Sequence, residues 1–366
     1  MKIRHIQIKN FRNIKYLDIP INNNLNIFIG NNAQGKTNFL EALYVLSTGN
    51  SFRNAADKDL VSYNAPGYTV KIQYSVSERP VEAMLKYESN GPKAFTINNK
   101  RMLANGQERL KTVLFTPDDL FLLKGSPAKR RTFLDLLLKQ LSLEYAYNLD
   151  NYVKVLKKRN NLLKNEQTKS RSFAIINDLF IESAVKVIMA RINLINILEE
   201  TAGPIYAQTS NGLNELKIKY ALSFAVNNDK INLSVLESAL KHHLELIKEK
   251  ERYRRQSLAG PHLDDINFYQ DGKAARVYAS QGQQRNIIIS VKLAEIYILK
   301  KITGYYPVFL LDEVLAELDE SRRTVLLSHL EKADFQTYLT SVHFDEHVSN
   351  KSVFTVNEGC FVRKEQ

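Results

Sequence analysis

Lys36 and Thr37 end the segment Gly30-Asn31-Asn32-Ala33-Gln34-Gly35-Lys36-Thr37, which has the G-x-x-x-x-G-K-[ST] spacing of a phosphate-cradling loop. Two glycines let the backbone curl until successive N–H groups face phosphate oxygens. The lysine ammonium then reaches the β- and γ-phosphates of ATP, and the threonine hydroxyl is offered to Mg2+. Near the other end of the chain, Asp312 and Glu313 follow the apolar run Pro307-Val308-Phe309-Leu310-Leu311. An aspartate at such a strand end is suited to holding the magnesium ion, and the adjoining glutamate to polarising an attacking water. Two acids ending a strand are often only a solvated turn, but a wholly apolar run before them argues for burial. A third element, Ser280-Gln281-Gly282-Gln283-Gln284-Arg285, opens an apolar-rich helix from Ile287 to Ile298. A serine, a glycine and amides at a helix start make an anion-binding terminus, here a second phosphate contact, or else a plain polar cap.

The elements that must position these groups are legible around them. Leu25 to Ile29 is a short apolar run ending at Gly30, and Phe39-Leu40, Ala42-Leu43 and Val45-Leu46 recur at helical spacing after Thr37. The loop thus joins a strand to a helix, the context its chemistry requires. A compact P-loop enzyme closes its magnesium site with an acidic strand soon after the lysine. In this chain of 366 residues the two lie at opposite ends, so the domain is opened by a large insertion, as in a split ATPase head. Thr69 to Ser75, Pro80 to Tyr87, Ala94 to Asn98 and Thr112 to Phe115 read as strands. From Pro127 to about Glu200 the pattern is helical, and Pro204 interrupts it. Glu215 to Phe224 reads as a strand and Leu233 to Lys250 as a helix. Asp265 to Tyr269 and Ala275 to Ala279 flank an Asp271-Gly272 hairpin signal. The expected fold is α/β: one lobe from residues 1–118 and 259–366, with an inserted helical lobe at 119–258, too short for a long coiled coil.

Lys and Arg number 51 against 39 Asp and Glu, a net charge of +12 that favours a polyanionic partner through counterion release, although a merely basic enzyme has the same balance. Lys124, Lys129, Arg130 and Arg131 form one basic cluster, and Lys154, Lys157, Lys158, Arg159 and Lys164 a second. Positions 154, 157 and 158 share one helix face and could track a phosphate backbone, or be a solvated face. Arg252, Arg254 and Arg255 form a third cluster. The single cysteine, Cys360, excludes an intrachain disulfide. His242-His243 has no third ligand near it, which speaks against a metal. The first residues alternate like a strand rather than a signal peptide, and no apolar run reaches bilayer length, so a cytoplasmic protein is expected.

Further segments complete a pattern: Ile8-Lys9-Asn10-Phe11-Arg12-Asn13, Thr37-Asn38-Phe39-Leu40-Glu41-Ala42, Ser51-Phe52-Arg53, Phe115-Thr116-Pro117-Asp118-Asp119, Gly125-Ser126-Pro127 with Arg130-Arg131, and Gly260-Pro261-His262 with Asp264-Asp265. With the phosphate loop and the Ser280 element, and nearly end to end, the chain resembles the RecF family of bacterial recombination-mediator ATPases, an ABC/SMC-type P-loop head with an inserted helical lobe. The resemblance implies an ATP-dependent homodimer in which Ser280 to Arg285 complete the partner's ATP site and Glu317 and Asp319, in Ala316-Glu317-Leu318-Asp319, face the dimer. It implies slow, DNA-stimulated hydrolysis by Glu313 that reopens a clamp on duplex and gapped DNA, and, with RecO and RecR, loading of RecA. His343 lies where ABC heads place a switch histidine, or is a loop residue. Thr116-Pro117-Asp118-Asp119 stands where a glutamine loop is usual. A compact transporter ATPase would lack the insertion, and a P-loop kinase would lack the Ser280 element.

Overall fold

The computed structural model describes residues 1–89, 91–101, 109–209, 214–228, 230–344, 348 and 350–364. The chain begins with β1 (Lys2–Phe11), β2 (Ile14–Pro20), β3 (Leu25–Ile29) and helix α1 (Lys36–Thr48). Then come β4 (Gly67–Val76), β5 (Arg79–Glu88), β6 (Ala94–Ile97), β7 (Lys100–Arg101) and β8 (Thr112–Phe115). Helices α2 (Pro127–Leu141), α3 (Leu143–Lys164) and α4 (Arg171–Thr209) precede β9 (Leu216–Ala221), α5 (Leu233–Leu246) and α6 (Lys248–Arg254). The remainder is β10 (Asp265–Gln270), β11 (Lys273–Ala274), α7 (Ala275–Tyr278), α8 (Gln281–Thr303), β12 (Val308–Asp312), α9 (Glu320–Glu331), β13 (Thr337–Ser341), β14 (Lys351–Asn357) and β15 (Cys360–Arg363).

Two compact units divide the chain: Met1–Phe121 with Arg285–Gln366, and Leu122–Gln284. The first carries a six-stranded sheet in the order β15-β14-β3-β13-β12-β8, parallel except for the β14–β15 hairpin. Its strands β12 and β13 are buried along their whole length and β3 nearly so, as parallel strands covered on both faces must be. The second sheet, β2-β1-β4-β5-β6-β7, is antiparallel. In β1 the buried residues change parity, Ile3 against Ile6 and Ile8, which a regular strand cannot place on one face; a register shift between Ile3 and His5 absorbs the difference. Ile6, Ile8, Val70, Ile72 and Leu85 from this sheet share one core with Phe39, Leu40 and Leu43 of α1 and with Phe28, Leu310 and Tyr338. Each such side chain contributes about 1.5–3 kcal/mol by leaving water, so α1 and the loop before it sit on a rigid base.

The second unit packs α3 on α4 and α4 against β9, with a sheet in the order β11-β10-β9. Its limits correct the lobe boundaries: 259–284, expected with the first lobe, belongs to the second unit because β10 pairs with β9 along its whole length, and 119–121 stay with the first. Helix α4 also continues past Pro204. Glu200, whose carbonyl loses its donor, and Pro204 are both on the exposed side, while Ala202 and Tyr206 are fully buried and hold the helix together. The expected Leu233 to Lys250 helix is two helices that part at Ile247. Beyond the Asp271-Gly272 turn the strand is only Lys273–Ala274, and the Ala275 to Ala279 segment expected as a strand is instead α7 with its C-cap. Ala275 and Ala279 are buried while Val277 and Tyr278 face solvent, so the i, i+4 period outweighs the alternation that the same residues also show.

Candidate functional site: a phosphate loop facing an acidic strand

The phosphate loop is shaped by contacts on both sides. A Cβ on Gly30 would stand 2.3 Å from Val356 O, and Gly35, at φ 114°, would push a Cβ within 2.8 Å of Asn13 Oδ1, so both positions require glycine. Asn13 Nδ2 donates to Gln34 O at 3.1 Å and Gly359 N–H to the same oxygen at 2.8 Å, while Glu358 N–H donates to Gln34 Oε1 at 2.6 Å. Asn31, Asn32 and Ala33 remain exposed. Lys36, 2% exposed, donates from Nζ to Gly30 O at 2.7 Å and Asn31 O at 2.9 Å, and lies 3.0 Å from Glu313 Oε1.

Lys36, Thr37, Asp312 and Glu313 therefore meet in one place despite their separation in the chain. Thr37 Oγ1 donates to Asp312 Oδ1 at 2.8 Å. Burial pushes the Asp312 carboxyl above its ordinary range, and hydrogen bonds from Thr37 and Thr340 pull it back down. Glu313 sits at φ 52° with its side chain one-third exposed. Sequence reasoning missed two parts of this neighbourhood. Glu41, fully buried, accepts from Arg12 Nε and from its second guanidinium nitrogen, both at 3.0 Å, accepts from Ser51 Oγ at 2.5 Å and lies 3.8 Å from Arg53. Three separate motif segments thus converge on one carboxylate. Thr340 is the other part, and nothing in the local sequence marks it.

The Ser280 element forms a capping box at the start of α8. Ser280 Oγ accepts the Gln283 N–H at 3.2 Å, and Gln283 Oε1 accepts the Ser280 N–H at 2.8 Å. Ser280 and Gln281 are exposed and Gly282 and Gln283 half-buried; Gln284 is buried, with Nε2 donating to Ala279 O at 2.8 Å. Arg285 stands 3.7 Å from Glu317. Asp319 caps α9 by accepting the Arg322 N–H at 3.0 Å. His343 lines a hollow of about 220 Å3 with Leu315, Ala316 and Arg323. In place of a glutamine loop, Asp119 accepts from Thr116 N–H at 2.8 Å and pairs with the buried Lys292 at 3.2 Å.

The basic clusters separate. Lys124, Lys157 and Lys158 are exposed, and Arg131 is half-buried with one nitrogen on Asp264 O. Arg130 and Arg159, both expected at DNA, are 2% exposed and cannot reach it. Arg130 donates to both oxygens of Asp265, and Arg159 to both oxygens of Glu251 and to Ser257 Oγ. Among the described residues no helix is long and apolar enough to cross a membrane.

The RecF/RecN/SMC N-terminal domain model matches residues 2–360. A DNA replication and repair protein RecF from Bacillus subtilis is 36% identical over 373 residues, covering 99% of this chain and 100% of its own. This chain belongs to the RecF family. The RecF of Halalkalibacterium halodurans is 37% identical, with both chains fully covered. A solved structure of the recombination mediator protein RecF-ATP in the RecFOR pathway superposes with a TM-score of 0.89 at 29% identity, covering 100% of this chain and 98% of that one. An Smc head bound to the C-winged helix domain of ScpA, at 16% identity and TM-score 0.55, shares the fold, with 100% of this chain and 98% of that one covered. As a RecF-family member the chain is a DNA replication and repair protein built on an ABC-type ATPase head.

Proposed function

We propose that this chain is an ATP-hydrolysing switch: two ATP-loaded copies close on DNA at single-strand gaps and, with RecO and RecR, promote RecA loading on strand coated by single-strand binding protein. That would serve recombinational repair, replication restart and the SOS response in the cytoplasm. The observation that carries the reading is the meeting of Lys36, Thr37, Asp312 and Glu313. Backbone N–H groups of Gly30 to Thr37 and the Lys36 ammonium bind the phosphates. Thr37 Oγ1 and the Asp312 carboxylate are converging hard oxygen donors and fit Mg2+, which when bound neutralises charge on the β- and γ-phosphates. Glu313, its carboxylate fixed by Lys36 and its backbone by Thr340, orients water toward the γ-phosphate and holds the proton that water gives up. Hydrolysis is slow and stimulated by DNA, a timer rather than a metabolic reaction.

The exposed start of α8 offers Ser280 and Gln281 at the positive end of a helix dipole, a fitting contact for the γ-phosphate held by a second copy. Glu317 and Asp319 face the dimer. Lys124, Arg131, Lys157 and Lys158 are the residues left to meet duplex phosphates. Filter binding of ATP-loaded protein to gapped, duplex and single-stranded DNA across a salt series tests the reading. ATP-dependent, salt-sensitive retention strongest on gapped DNA is expected, and retention indifferent to ATP would overturn it.

A further inference from the structure

Thr340 lies opposite Asp312 in the parallel register of β12 and β13, on the strand that separates the acidic strand from the strand leading into the phosphate loop. It is fully buried. Its Oγ1 accepts the Glu313 N–H at 3.0 Å and lies 2.9 Å from Asp312 Oδ1, whereas Leu311 O is farther away at 3.4 Å. A hydroxyl has a single proton. With the Glu313 N–H on a lone pair, that proton goes to the nearer acceptor, Asp312 Oδ1, the same oxygen that accepts from Thr37 at 2.8 Å. Glu313 meanwhile holds a left-handed backbone, φ 52°, which a residue with a side chain keeps only where its surroundings impose it. The bond from its N–H to Thr340 is one such restraint, and turning that peptide would swing the Glu313 carboxylate off Lys36.

We infer that Thr340 is a positioning residue for ATP hydrolysis: one hydroxyl sets both the Asp312 carboxylate and the backbone from which Glu313 reaches water, without touching the nucleotide. The inference rests on the ATPase reading above. Valine has threonine's shape but no hydroxyl, so Thr340→Val takes from the Glu313 N–H its acceptor and releases Asp312 on one side. Serine keeps the hydroxyl and loses only a methyl group.

The test compares full-length wild type, Thr340→Val and Thr340→Ser. Hydrolysis is followed at saturating ATP against Mg2+ concentration, and a non-hydrolysable ATP analogue is bound with and without Mg2+. For Thr340→Val, kcat falls about 10–100-fold, as for loss of a group that orients a metal-binding carboxylate from behind. Its half-saturating Mg2+ rises several-fold, the gain in analogue affinity on adding Mg2+ shrinks, and analogue affinity without metal is unchanged. Thr340→Ser restores the turnover and the Mg2+ dependence. Wild-type kcat and Mg2+ dependence in Thr340→Val, or equal impairment of the serine variant, overturns the inference. Thr340→Ala, which cannot overpack, carries the same expectation should the valine variant fail to fold. A wild-type chain that hydrolyses no ATP removes the ATPase reading and this inference with it, a result visible in the wild type alone.

Discussion

At the residue scale the candidate site works by restraint. Lys36 has its ammonium on two carbonyls of its own loop and on Glu313, so its charge is held at the proposed phosphate contact. Glu313 is held at its carboxylate by Lys36 and at its N–H by Thr340. Changing Glu313 to glutamine keeps the shape and the backbone bond but removes the proton acceptor. Turnover is therefore expected to fall about 10²–10⁴-fold, the usual worth of a general base, with ATP binding retained. In the proposed cycle binding closes the clamp and hydrolysis opens it, so Glu313→Gln should accumulate as an ATP-bound dimer in sedimentation. A variant that stays monomeric in ATP at concentrations where the wild type dimerises contradicts this role.

At the element scale α3 presents two chemistries on two faces. Arg159 points inward to Glu251 and Ser257, whereas Lys154, Lys157 and Lys158 point to solvent. Removing one partner of a buried ion pair strands the other, so Arg159→Ala should cost about 3–5 kcal/mol of stability in denaturant unfolding. Lys157→Ala should leave stability within about 0.5 kcal/mol and reduce the salt dependence of DNA binding instead. A variant pair with the opposite pattern would return Arg159 to the DNA surface. The same unit holds His262, whose Nδ1 shares a 2.5 Å hydrogen bond with Tyr152. Burial lowers its pKa below the ordinary 6.5, and Arg131 and Arg159 lower it further. The unfolded chain then binds the proton more readily than the folded one. Stability from neutral His262 is full above 6.5 and is lost as pH falls through the lower folded value. Amide protection in α3 and α4, with exchange corrected for its intrinsic pH dependence, should fall on going from about pH 7.5 to pH 5.5, and His262→Gln should flatten that change.

At the scale of the whole molecule the proposal is a site shared between two copies. Ser280→Arg leaves Gly30 to Thr37 untouched, so monomers should bind ATP nearly normally yet fail to dimerise, with a bulky cation where the partner's phosphate belongs. Lys36→Met should disable its own loop. In a mixed dimer of the two, one composite site carries both defects and the other is intact, so mixing two inactive variants recovers part of the ATPase activity. Collapse of ATP affinity in the isolated Ser280→Arg monomer would show the element acting within its own chain.

What the sequence determined by itself is what consecutive residues determine. The strand, loop and helix around Lys36, the apolar run ending in Asp312 and the Ser280 start of α8 are local patterns, and the structure has all three. The insertion was legible for the same reason, since two halves of one site cannot stand so far apart in a chain unless something lies between them. Only the tertiary structure decided the rest. Arg130 and Arg159 carry the same charge as their exposed neighbours, and nothing but the arrival of Asp265 and Glu251 from distant segments turns them into core residues. Glu41 becomes a hub because Arg12, Ser51 and Arg53 fold toward it, and Thr340 braces the acidic strand because β13 is the strand beside it. A side chain's role is set by which partner comes to it, and a partner from a distant segment leaves no trace in the residues on either side.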